Sequence, residues 1–236
     1  MIDAGSHWDF DDPAGSEREL RAVADASAGA EREAWMTQVA RALGLQGRFD
    51  EAHTVLDALG GADPEVDTRI ELERGRLLRS AGESTAARPH FDAAVRLARA
   101  ACLEELAVDA LHMVALVTAG EERAPAQQAA LDAARTASDP RARDWDASIL
   151  NNMGMDHADA GDQARALARF REALTARERI GDPASTRVAR WMVAWSLRQL
   201  GRRDEALDLQ RRLKADLEAA GEVDPYVDEE LALLEE

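Results

Sequence analysis

The sequence predicts an all-α solenoid of about five helix-turn-helix repeats with capping helices at both ends, and three observations carry that prediction. First, a pattern of small and large residues recurs. It is clearest in Asn151, Asn152, Met153 and Gly154, followed by Gly161, Asp162, Ala166, Phe170 and Ala173, and it returns as Gly75, Gly82, Ala87, Phe91 and Ala94. Looser copies run through Ala40, Gly47, Ala52 and Leu56, through Ala194, Gly201, Ala206 and Gln210, and through Ala115, Gln127, Leu131 and Ala134. Anchored on the first small residue, the copies fall at 40, 75, 115, 154 and 194, in steps of 35, 40, 39 and 40 residues. A fixed period of this size marks units that bury their apolar faces only by stacking on one another. Second, Ala and Leu dominate the apolar residues, with only five Trp, four Phe and one Tyr. Unbranched side chains lose little rotamer freedom in a helix, which favours helix over sheet. Third, glycines and Asp-Pro pairs punctuate the chain about once per repeat.

Residues 1–12 read as an irregular arm, His7-Trp8-Asp9-Phe10-Asp11-Asp12, ending at Pro13. A first helix is expected over 15–27 with Ser16 as its cap. Helices are then expected over 31–45, 49–59, 65–81, 84–101, 103–119, 124–136, 144–160, 163–180, 184–200, 203–220 and 226–235. Gly44, Gly47, Gly82, Gly161 and Gly201 supply the positive φ that ends a helix. Asp63-Pro64, Asp139-Pro140, Asp182-Pro183 and Asp224-Pro225 each place a capping acid before a proline suited to the first helical turn. Small residues at 40, 75, 115, 154 and 194 lie on the first helix of each pair, and Ala52, Ala87, Ala166 and Ala206 on the second. There they permit close helix approach, while Phe91, Phe170 and Leu56 plug the gap to the next pair. The organisation is thus an N-terminal arm and capping helix (1–30), a solenoid (31–220) with repeats over about 33–59, 68–101, 108–136, 147–180 and 187–220, and an acidic C-terminal cap (221–236). In that cap Tyr226, Leu231 and Leu234 are expected to pack inward. No linker is long or polar enough to split the chain.

The net charge of −17 is concentrated at the ends: −4 from residues 1–12 and −9 from residues 216–236. Acidic ends argue against binding nucleic acid, which needs a basic footprint, and against docking on an anionic membrane. No apolar run reaches the roughly 18 residues that span a bilayer. The acidic N-terminus is unlike a secretory signal, and the single Cys102 forms no internal disulfide, so a reduced cytoplasmic protein is expected. The histidines, His7, His53, His90, His112 and His157, form no metal-ligand spacing, and no phosphate loop or nucleophile elbow is present. Neither an enzyme nor a cofactor is expected. Cys102 reads as packed rather than reactive.

The repeated small, small, aromatic, small order resembles the tetratricopeptide repeat, across about residues 31–220 and most specifically in the copies at 147–180 and 68–101. The longer period resembles that of kinesin light chains and bacterial signal-transduction sensor arms. The resemblance implies a right-handed superhelix whose first helices line a concave, peptide-binding groove. In that register Gln38, Arg41, Arg69, Glu73, Arg76 and Arg79 line its N-terminal part, Asp109, His112, Met113 and Leu116 its third pair, Asn151, Asn152 and Met155 its fourth, and Trp191, Met192, Trp195 and Arg198 its fifth. Guanidinium groups fork onto carboxylates, amides meet a ligand backbone, and Trp and Met take apolar side chains. The candidate site is therefore Gln38, Arg41, Arg69, Arg76, His112, Asn151, Asn152, Met155, Trp191 and Trp195. Its expected ligand is a protein or peptide segment of acidic-aromatic character. Lys214 is the sole lysine and lies on a second helix, so the lysines of the family's carboxylate clamp are missing. Two alternatives stand beside this reading. The arginines pair with glutamates on neighbouring turns, and the tryptophans belong to the core between repeats. The arm either caps the first hairpin or docks in a groove, its own or a neighbour's. That last option makes a homodimer or a self-assembling structural protein the alternative function.

Overall fold

Repeated hairpins need a reason to close at the same place each time, and the structure supplies it as a ring set on a glycine. In this computed structural model residues 1–60 and 63–236 are described. Among them the regular elements are helical: α1 (Pro13–Ala26), α2 (Gly29–Leu45), α3 (Phe49–Asp57), α4 (Pro64–Ser80), α5 (Ser84–Ala100), α6 (Glu104–Val117), α7 (Arg123–Thr136), α8 (Pro140–Asp159), α9 (Gln163–Ile180), α10 (Pro183–Gln199), α11 (Arg203–Ala220) and α12 (Pro225–Glu235). A Cβ added at Gly75 in α4 would collide with the ring edge of Phe91 in α5, and one at Gly154 in α8 with the ring edge of Phe170 in α9. Both rings are fully buried. Each therefore packs within its own hairpin, as well as toward the next: Phe170 meets Trp195 of α10 edge-on at 6.4 Å.

The chain divides into two compact units, Met1–Arg143 and Asp144–Glu236, and the division falls inside α8 rather than in a linker. In the first unit α1 packs on α2, α2 on α3 and α4, α4 on α5 and α6, and α6 on α7. The first helices α2, α4 and α6 are thus consecutive neighbours. Their core runs from Leu20, Val39 and Leu43 to Leu72, Phe91, Leu106 and Met113. In the second unit α9 packs on α10, α10 on α11 and α11 on α12. There α12 also contacts α10, so it takes the place a further first helix would hold.

Helix limits follow the expected punctuation to within about four residues. Asp63 accepts hydrogen bonds from the Glu65 and Val66 amides at 2.9 and 3.1 Å, and Asp182 accepts one from Ser185 at 2.9 Å. Four expectations are corrected. Asp12, not Ser16, caps α1, accepting from the Gly15 amide at 2.8 Å, while Ser16 is buried and bonded to the arm. Gly44 lies inside α2 against Leu77 and ends nothing, because its role is close approach. Cys102 is exposed in a left-handed turn at φ 56°, a conformation that glycine takes at most of the other helix links. Tyr226 is 67 % exposed, with only Leu231 and Leu234 of that trio turned inward.

Two substitutions test this packing by denaturant unfolding. An exposed mid-helix Gly→Ala gains about 1 kcal/mol, but Gly154→Ala is expected to lose about 1–3 kcal/mol to overpacking, with Phe170→Leu relieving the loss. A stabilised Gly154→Ala would remove the ring from the glycine. Gln210 occupies the large-residue position of its copy, is wholly buried and has no partner for either amide atom. Replacing Gln210 by Met is expected to raise stability by about 1–2 kcal/mol, and a fall would mean the amide is bonded.

Candidate functional site

Charged residues spaced along α2, α4 and α6 meet because those helices are neighbours. Arg69 is buried and donates from Nε to Glu65 Oε1 at 2.9 Å, one helical turn back. Arg76 reaches across to α6, one terminal nitrogen donating to both oxygens of Asp109 at 2.5 and 2.6 Å, while the other donates to Glu73 on its own helix. Asp109 and Glu73 are 6 % and 1 % exposed, so these are interior ion pairs. Burial works against the charge of Arg76, but Asp109 and Glu73 together outweigh it and hold its pKa above the ordinary value. One Glu73 oxygen, Oε2, has no partner. Gln38 is buried beside Thr37.

Arg41 is different. Burial pulls its pKa below the ordinary guanidinium value, and the nearby Arg76 pulls it further, with Glu73 and Asp109 acting in the other direction. Its guanidinium sits 5.3 Å from the Trp8 ring and 5.7 Å from the Phe10 ring, and those rings stack on each other at 5.2 Å. The arm therefore lies along the first-helix face. Ile2 donates its amide to Glu65 at 3.0 Å, His7 meets Trp35 edge-on, and the Asp9 backbone exchanges two hydrogen bonds with Ser16. Beside the stack opens a pocket of about 170 Å³ lined by Arg41, Arg76, Arg79, Leu77, Ser80 and Met113. His112, next in sequence to the lining Met113, is 7 % exposed. Burial drives its pKa down to about 4, Asp109 opposing and Arg76 and Arg79 reinforcing.

In the second unit the candidates part company. Trp195 packs on Phe170 in the core of α9 and α10. Trp191 packs on Leu213, Leu217 and Val227, and its indole donates to the Tyr226 carbonyl at 3.1 Å. Met155 is exposed, and Asn152 is half-buried. Asn151 lines a pocket shared with α9 and α10, together with Arg177. Arg198 forks onto Glu230 of α12 at 2.7 Å for both bonds. The structure thus brings Arg41, Arg76 and His112 to one place, and Asn151 to another. Sequence reading missed Arg177. The signal was available: Arg177 falls four residues after Ala173 and seven after Phe170, on the face of α9 that its neighbours bury.

Stacked antiparallel hairpins, each closed by a small residue on the first helix and a large one on the second, define a helical repeat protein. Residues 145–218 match the tetratricopeptide repeat model. No curated protein matches it in sequence. Among solved structures it is similar to BtubC (BKLC) from P. vanneervenii, with 18 % identity, 95 % of each chain covered and a TM-score of 0.64. It is also similar to a signal transduction ATPase with numerous domains from Pyrococcus horikoshii that bears a tetratricopeptide repeat sensor (12 % identity, TM-score 0.67). That match covers 86 % of this chain and 32 % of the other. A third likeness is to the quorum sensor NprR from B. thuringiensis, with 17 % identity, a TM-score of 0.62 and coverage of 95 % of this chain and 64 % of that one. At these identities the likeness is one of fold. Among the described residues no helix is long and apolar enough to cross a membrane.

The buried His112 gives a signed pH dependence. Its folded pKa of about 4 lies below the ordinary 6.5, so the unfolded chain binds the extra proton. The stability this provides is complete above pH 6.5 and is lost as pH falls toward 4. Acidification from pH 7 to 4 is expected to cost the unsubstituted chain about 3 kcal/mol more than His112→Gln. Equal pH slopes in the two proteins would contradict the assignment.

Proposed function

We propose that this protein is a non-catalytic cytoplasmic adaptor that binds a protein or peptide segment on its first-helix faces. The observation that carries the reading is the arm itself. An acidic-aromatic stretch, Trp8-Asp9-Phe10-Asp11-Asp12, rests on α2 with its two stacked rings against Arg41. A surface that takes this segment from its own chain has the chemistry to take one like it from a partner. Among the described residues Arg41 and Arg79 form no ion pair with a carboxylate, which leaves two guanidinium groups in the pocket to meet the partner's acids. Arg69 and Arg76 are held by Glu65, Glu73 and Asp109, and in this reading they fix the shape of the site rather than grip the ligand.

The arm is a weakly held occupant. Phe10 is 61 % exposed, and the indole N–H groups of Trp8 and Trp35 are buried without acceptors. Each unmade bond of this kind costs about 1–3 kcal/mol. A partner that satisfies the Trp35 donor of α2 displaces the arm, and the released Trp8 N–H is then free to bond to water. Asn151, Asn152 and Met155 extend the reading to the second unit. Structural neighbours described as a sensor-bearing ATPase and a quorum sensor support a regulatory setting.

Titration with a blocked peptide of the arm's sequence, residues 6–12, tests the proposal. Deleting residues 1–12 is expected to tighten its binding at least tenfold, and adding Arg41→Ala to the deletion is expected to weaken it at least tenfold. Binding that ignores both changes defeats the reading. The alternative, assembly of copies through exchanged arms, uses the same surface. It predicts a dimer in light scattering that becomes monomeric when the arm is removed.

A further inference from the structure

The inward face of α9 carries a charge where its counterparts carry hydrocarbon. In the three copies whose second helix runs that far, the residue seven beyond the large one is Ala98 after Phe91 and Leu217 after Gln210, both buried, but Arg177 after Phe170. Arg177 is half-buried and donates from one terminal nitrogen to Ser148 Oγ at 2.9 Å. Among the described residues no carboxylate comes within ion-pairing distance of it. Burial lowers its pKa from the ordinary guanidinium value, against the more distant Asp182, Asp146 and Asp144. Those three acids are already engaged. Arg179 takes Asp146 at 2.8 Å and Asp144 at 3.3 Å, while Asp182 caps α10 through Ser185. A guanidinium taken partly out of water with most of its donor fork unused is an incomplete ion pair.

The missing half has a place to sit. A pocket of about 160 Å³ opens among α8, α9 and α10, lined by Arg177, Asn151, Val188 and the small residues Ala147, Ala173 and Ala189. That space holds roughly five waters, enough for an acid group on a short stem and too little for a folded segment. We propose that this pocket binds a carboxylate, both oxygens taken by the Arg177 fork and one also by the Asn151 amide. A single unpaired cation with three acids nearby suits a monoanion and disfavours a phosphate dianion. The pocket lies in the second unit and stands on its own geometry, independent of what the first-helix face binds. Its occupant is either a free carboxylate or the acidic side chain of a partner, and the test separates the two.

The experiment follows the side-chain N–H signals of Arg177 and Asn151 in the full chain during three titrations: sodium acetate, blocked Gly-Glu-Gly, and blocked Gly-Gln-Gly. Both carboxylates are expected to shift the Arg177 Nε–H signal saturably, and the glutamine peptide is not. A glutamate peptide at least tenfold tighter than acetate marks a partner's side chain, and equal affinities mark a free anion. Arg177→Gln is expected to weaken binding at least tenfold. Val188→Glu, at an exposed position that carries no fold, fills the pocket with its own acid and is expected to do the same. The proposal is overturned if neither carboxylate shifts the signal saturably, if the glutamine peptide matches the glutamate one, or if both variants bind as well as the unsubstituted chain.

Discussion

An aromatic ring pressed on a helix backbone that has no Cβ fixes where each clear hairpin closes. Phe91 on Gly75 and Phe170 on Gly154 bring the two helices of a pair closer than two side chains of ordinary size allow. The remaining copies use Ala40, Ala115 and Ala194 opposite Leu56, Leu131 and Gln210, all of them buried. Once the pairs close at a constant point, the first helices of successive pairs become neighbours, as α2, α4 and α6 are. The line of residues along those helices is then set by the hairpins and not by its own interactions. That is why it can hold charge in the interior.

The charge it holds is organised in two ways. Arg69 and Arg76 are satisfied by carboxylates of α4 and α6, and the pairs are buried enough that breaking one strands the other half. Arg41 has no such partner and meets two aromatic rings instead, a contact that stabilises a cation without neutralising it. Arg177 in the second unit has neither. The four arginines form a series from fully compensated to uncompensated, and the capacity to bind acids rises along it.

The fold was legible because its determinants are local and repeated. Glycine spacing, Asp-Pro caps and the large residue four after Ala52, Ala87 and Ala166 each recur, so an error in one copy is corrected by the next. The degenerate copy at 108–136 still forms α6 and α7. Single positions were less legible. Gly44 reads as a helix stop because glycine serves both turns and close approach, and only Leu77 opposite it decides which. Cys102 reads as packed because cysteine is usually buried, but the link it occupies needs a left-handed residue. The site was harder still. Spacing placed Arg76 and His112 on first helices, but the ion pair of Arg76 with Asp109 depends on how α6 is rotated against α4, which no local pattern records. Arg177 was hidden by the assumption that function lies on first helices, although its register among Phe170, Ala173 and Ala176 marks it as a charge on a buried face.

The functional account depends on a chain segment resting on helix α2 through two rings and one cation. Isotope-edited NOE spectroscopy of the full chain reads that contact directly. Cross-peaks from the Trp8 and Phe10 ring protons to the Arg41 side chain, with the Arg41 Hδ signals moved upfield by the rings, are the predicted result. Random-coil shifts throughout residues 1–12 and no such cross-peaks would contradict it.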